Sequence, residues 1–129
     1  MEKIAIAQTT SSGNWSENLR KAEQFIKRAK AEKAKMIVFP EYFMNYYPDA
    51  DHKYIEKAQT LHGDFVSQMK VFAKEYKMWI IFGMNEKTVD ETKNYNTTAV
   101  INENGQLIAH YHKTHLFNAY KWQESRDTI

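Results

Sequence analysis

Four apolar residues in succession, Met36-Ile37-Val38-Phe39, are too few for a helix and too uniformly apolar for a strand with one face in water. Pro40 follows at once and stops the ladder by removing the next backbone donor. A strand of this kind must be covered on both faces, which limits the fold to a sheet layered with other elements. Residues 4–8 form a second short run, rich in alanine and isoleucine, and predict a first buried strand. Between the two runs, Asn14 followed by Glu17 has the form of a capping box. Leu19, Ala22, Ile26 and Ala29, with Phe25 beside them, then recur at helical spacing, while Arg20, Lys21, Glu23, Lys27, Lys30 and Glu32 take the other face. The spacing predicts an amphipathic helix from Asn14 to near Lys35. Strand, helix and strand make a βαβ unit, and Glu41 falls at the carboxyl end of a parallel strand, where open α/β sheets present their reactive groups.

Residues 42–62 are aromatic and polar without a single period, and predict a loop with a turn of helix near residues 53–59. Within it, Tyr42, Phe43, Tyr46 and Tyr47 either line a pocket or pack the loop against the sheet. Phe65, Met69, Phe72, Ala73 and Tyr76 predict a second amphipathic helix, with Asp64 suited to its positive N-terminal end. Residues 78–82 read as a third buried strand closed by Gly83. Residues 94–102 and 106–113 flank Glu103-Asn104-Gly105, and Asn-Gly between two strand-like runs is a strong hairpin signal. Lys113 then lies near the far end of a hairpin strand. Residues 120–129 carry neither a helix cap nor a closing strand, so the chain is expected to end mid-domain.

With 129 residues, 43% of them hydrophobic and 14% aromatic, the chain can bury one core. A net charge of +2, with the lysines spread along a helix face, gives no footprint for nucleic acid. The first residues hold too short an apolar run for a signal peptide, and nowhere do about 20 apolar residues follow one another as a membrane span needs. The reading is a cytoplasmic protein without nucleic-acid or membrane partners. Zero cysteines exclude disulfides, thiolate metal sites and a cysteine nucleophile within these residues.

Taken singly, Glu41 and Lys113 read as surface residues at strand ends. His110 and His112 fall on one face of a strand with His115 beyond them, which leaves a histidine metal site as a rival reading. Arg126 and Asp127 read as a surface ion pair.

The order of Phe39-Pro40-Glu41, Tyr95-Asn96-Thr97 before the Asn-Gly hairpin, and Tyr111-His112-Lys113-Thr114-His115-Leu116-Phe117 resembles the nitrilase, or carbon-nitrogen hydrolase, superfamily. The resemblance runs from Lys3 to the end and covers the amino-terminal part of a single domain of that family. It implies an α/β fold in which two sheets pack face to face between helices, an α-β-β-α sandwich, here truncated. It also implies hydrolysis of a non-peptide carbon-nitrogen bond in a small amide, nitrile or carbamoyl compound, with no cofactor and with a homodimer or larger assembly. In that family a Glu, a Lys and a Cys act together. By similarity Glu41 is the base and Lys113 the cation, Glu124 in Trp122-Gln123-Glu124-Ser125 is a second, bracing carboxylate, and the Cys is missing. The resemblance accounts for the histidine segment without a metal. A non-catalytic module that keeps only part of the fold is the alternative of a different class.

Overall fold

The computed structural model describes residues 2–48, 53–119 and 122–129. Met1, residues 49–52 of the expected loop, and residues 120 and 121 of the expected terminal segment lie outside the described residues. The elements are β1 (Lys3–Ile6), α1 (Trp15–Ala31), β2 (Ala34–Val38), α2 (Lys53–Glu56), α3 (Asp64–Tyr76), β3 (Trp79–Lys87), β4 (Asn94–Ile101), β5 (Leu107–His112), β6 (Asn118–Ala119) and β7 (Trp122–Gln123), followed by a 3-10 turn, Glu124–Arg126.

Strands β1 to β5 form one sheet in sequence order, parallel from β1 to β3 and antiparallel from β3 to β5. One face is roofed by α1 and α3. Leu19, Ala22 and Ile26 from the first helix and Phe65, Val66, Met69 and Phe72 from the second close on Ile37, Ile80, Phe82, Ala99 and Ile101. This face is the core. The opposite face carries Ile4, Ile6 and Tyr111, respectively 62%, 80% and 58% exposed. The described residues thus make one helix layer on one sheet layer, half of the four-layer sandwich that the resemblance implies. Among the described residues, no helix is long and apolar enough to cross a membrane.

Asn14 caps α1 as the sequence predicts, its side chain accepting from Ser16 N–H at 3.0 Å. Glu17 instead accepts from the Ser12 hydroxyl at 3.0 Å, so the reciprocal half of the capping box is absent. The helix stops at Ala31 rather than near Lys35. Lys33 takes φ 62°, and Ala34 already pairs with Lys3, because the ladder to β1 competes for residues that helical periodicity alone would keep. The hairpin is as predicted: Gly105 adopts φ 77° and donates to the Asn102 carbonyl at 2.9 Å, the left-handed position that glycine takes without a Cβ penalty.

Gly83 does not close its strand, which continues to Lys87. It marks a close backbone approach instead. The turn after β2 crosses β3 at this point, and Gly83 N–H donates to the Pro40 carbonyl at 3.2 Å. A Cβ here would lie 2.6 Å from Tyr42 N, 2.7 Å from Glu41 Cα and 2.8 Å from Pro40 O. All three are backbone atoms, so the turn itself must move. Gly83→Ala is therefore expected to destabilise by about 2–3 kcal/mol, the scale of overpacking, and to draw Glu41 away from its partners. Thermal melting, with carboxylate chemical shifts of Glu41, checks both. An unchanged melting temperature would show that the crossing is loose.

Candidate active site

Three elements bring their ends together beside Gly83. Glu41 follows β2, Asn96 lies in β4, and Lys113 is the first residue beyond β5, its backbone N–H bonded to the Asn96 carbonyl at 2.9 Å. Lys113 Nζ donates to Glu41 Oε1 and to Glu124 Oε2, each at 2.9 Å. The structure therefore gathers all three residues singled out in the sequence around one ammonium.

Glu124 is the best enclosed of them, 6% exposed. Its Oε1 accepts from Asn96 Nδ2 at 2.8 Å and from the Tyr42 hydroxyl at 3.1 Å. Its Oε2 accepts from Lys113 and, at 2.7 Å, from Phe117 N–H. A carboxylate offers about four lone-pair sites, and all are used. Burial works against the charged form of Glu124, but the bonds from Phe117, Asn96 and Lys113 outweigh it and hold the carboxyl below its usual value. For Lys113 burial likewise opposes the charge, and the hydrogen bonds to Glu41 and Glu124 prevail, raising its pKa. The ammonium is fixed in place and kept protonated. Burial pushes the Tyr42 phenol up, so it stays a donor to Glu124.

Asn96 is the group that residue-by-residue reading missed. Its amide donates one N–H to Glu41 at 2.6 Å and the other to Glu124 at 2.8 Å, tying together two carboxylates that would otherwise repel. The signal was present in Tyr95-Asn96-Thr97, whose order was legible but whose role was not.

The side chain of Glu41 is 57% exposed. Of the two readings of Tyr42, Phe43, Tyr46 and Tyr47, packing of the loop fits most of the set. Phe43 is fully buried in the core, Tyr42 turns to Glu124, and Tyr47 donates its hydroxyl to the Gly13 carbonyl at 2.7 Å. Of that aromatic set only Tyr46 lines the open cleft of about 500 Å³ that reaches Glu41, along with the hydroxyl-bearing loop Thr9-Thr10-Ser11-Ser12. Arg126 and Asp127 do pair, at 3.3 Å, but Asp127 is buried and its carbonyl accepts from Asn94 N–H, so the pair helps close the terminal segment onto β4. That segment is also less open than the sequence suggests, since Thr128 bridges Asn94.

The histidines do not converge. His112 Nε2 donates to Glu86 at 2.9 Å and His115 Nδ1 meets the Thr114 hydroxyl at 3.0 Å, while the His110 and His112 rings are 5.2 Å apart. Among the described residues, no group of three or more His, Asp or Glu is placed to hold a metal.

The family model for carbon-nitrogen hydrolase matches residues 3–128. The chain belongs to the carbon-nitrogen hydrolase family. Deaminated glutathione amidase of Dictyostelium discoideum is 28% identical to it over 125 residues, covering 92% of this chain and 43% of that protein. Omega-amidase NIT2 of Homo sapiens is 34% identical over 117 residues, covering 90% of this chain and 41% of that protein. In structure, this carbon-nitrogen hydrolase chain superimposes on the C. elegans NitFhit protein with a TM-score of 0.87 at 25% identity, covering 100% of this chain and 34% of that one. The chain spans less than half the length of the relatives it matches.

Proposed function

We propose that these residues form the amino-terminal part of one carbon-nitrogen hydrolase domain and supply its base, its cation and its bracing carboxylate for hydrolysis of a small amide, with nitrile or carbamoyl compounds as the wider class. The observation that carries this reading is Lys113 Nζ held 2.9 Å from both Glu41 and Glu124, with Glu41 itself lining an open cleft. Relatives named as amidases support the amide.

In this mechanism Glu41 takes the proton of a cysteine thiol that lies outside these 129 residues. The thiolate attacks the amide carbon, and the developing oxyanion is stabilised by the Lys113 ammonium, aimed before the reaction begins. Glu41 returns the proton to the leaving nitrogen, and ammonia departs from a thioester. Glu41 then activates water, which attacks the thioester carbonyl and releases the acid and the thiol. Glu124 touches no reacting atom and acts by keeping Lys113 protonated and directed. No cofactor is required. The protein works in the cytoplasm as a homo-oligomer. The absence of cysteine favours one second reading, a non-catalytic module that retains this half of the fold.

The two readings separate when these residues are joined in one chain to the cysteine-bearing remainder of a carbon-nitrogen hydrolase domain and assayed for ammonia release from small primary amides. Turnover is expected, with Glu41→Gln and Lys113→Met each lowering kcat/KM by about 10³-fold, the scale of removing one preorganised stabilising group. Turnover that either variant leaves within about tenfold of the parent would remove that residue from the mechanism. A folded hybrid without turnover would favour the non-catalytic module.

A further inference from the structure

Among the described residues β5 is an edge strand, paired only with β4, and most of it is exposed. Edge-strand ends fray readily when little holds them. Yet its last ladder pair, Thr97 with His112, immediately precedes Lys113. On the face of the sheet away from Glu41 and Glu124, His112 is held from two directions. Its Nε2 donates to Glu86 Oε2 at 2.9 Å, and a carboxylate in that position fixes the proton on Nε2. Its ring stacks on Tyr95, with centroids 3.9 Å apart and planes 6° from parallel. Glu86 is itself anchored, since Oε2 also accepts from the Thr97 hydroxyl at 2.7 Å. The side chain of Glu86 is only 13% exposed.

The two faces of this short stretch thus do different work. Asn96 and Lys113 point to Glu41 and Glu124, while Thr97 and His112 bond Glu86 and Tyr95 stacks on His112. We propose that the Glu86–His112 pair, with Thr97 and Tyr95, positions Lys113 by pinning the end of β5 in the ladder. None of the four touches a reacting atom, so they are positioning residues. This assignment rests on Lys113 being the cation of the proposed site, but its test needs no turnover and so can fail independently of the hydrolase reading.

The test uses the full 129-residue chain with three NMR readouts: amide exchange at Lys113, titration of the Lys113 ammonium and titration of the Glu124 carboxyl. Thermal melting is followed in parallel. Glu86→Ala and His112→Phe are expected to speed exchange of the Lys113 amide on the order of tenfold. They should also bring the Lys113 titration down and the Glu124 titration up, each toward its ordinary value. His112→Gln keeps an N–H for Glu86 and is expected to restore most of the native behaviour. Thr97→Val, which loosens Glu86 without removing its charge, should move the same readouts in the same direction by less, and serves if the first two variants fail to fold. Variants that melt earlier yet leave the Lys113 and Glu124 titrations unchanged would overturn the proposal and leave the pair a local brace.

Discussion

The 129 residues alone should release no ammonia from small amides above a Glu41→Gln control. A base and a cation without a nucleophile can polarise a carbonyl but cannot form the thioester that divides one hard step into two easier ones. The hydroxyls near Glu41, on Thr9, Thr10, Ser11 and Ser12, are poor replacements at their free pKa, and Ser12 is already committed to Glu17. Removing a nucleophile from such a constellation costs on the order of 10⁶-fold, which places any residual rate below detection. Ammonia release from the chain alone that disappears in Glu41→Gln would mean that one of these hydroxyls, or water, is activated directly, and that the need for a cysteine is mistaken.

The largest effect on stability is expected from Glu124→Ala. The carboxylate satisfies Lys113, Asn96, Tyr42 and the Phe117 N–H at once, and its removal leaves those donors facing a void within a mostly enclosed site. Breaking a buried pair by deleting one partner costs about 3–5 kcal/mol, and partial exposure of Lys113 places this case near the lower end. For a chain of this length that corresponds to roughly 10 °C in Tm.

The loss should depend on pH. Because the folded-state pKa of Glu124 lies below its unfolded value of 4.5, its contribution is complete above that value and disappears as pH falls through the folded pKa. The gap between native and Glu124→Ala stability should therefore close on acidification below the ordinary carboxylate range. Lys113 acts at the other limit. Its raised pKa makes its contribution complete below the ordinary lysine value of 10.5, and that contribution declines as pH climbs through the folded value. Denaturant titrations across the acid range check the first statement, and a gap that stays constant to low pH would show Glu124 to be a packing residue rather than a charge partner.

The sequence revealed elements wherever a single physical rule acts locally. Apolar runs marked β2 and the start of β3, helical spacing marked α1 and α3, and Asn104-Gly105 marked the turn between β4 and β5. The run at residues 4–8 marked β1 as a strand but not its setting: β1 lies at the sheet edge with Ile4 and Ile6 exposed, not buried as expected. Glu41, Lys113 and Glu124 were accessible only through the joint order of three weak motifs, since each alone is a strand-end charge. What escaped is what depends on distant contacts. Gly83 resembles a terminator until the Pro40–Tyr42 backbone is seen to pass over it. For Tyr42 and Phe43 the sequence left pocket lining and packing both open, and distant contacts decide it: one is claimed by Glu124 and the other by the core. The tie between Thr128 and Asn94 joins segments with no shared local signal. Asn96 belongs to the Tyr95-Asn96-Thr97 motif, yet an asparagine in a strand carries no hint that two carboxylates will converge on its amide.

The charge cluster also has a place in time. Glu41, Asn96, Lys113 and Glu124 are drawn from successive stretches of the chain, and Glu124, which bonds both Asn96 and Lys113, is the last of them to be synthesised. Contacts this distant in sequence form after local helices and hairpins, because closing the intervening loops costs entropy before any contact rewards it. A nascent chain can therefore assemble its helix-covered sheet while Glu41 and Lys113 still lack the carboxylate that braces them. The ammonium is locked only when the Glu124–Arg126 turn docks, so assembly of the charge cluster waits on the last made of its four residues.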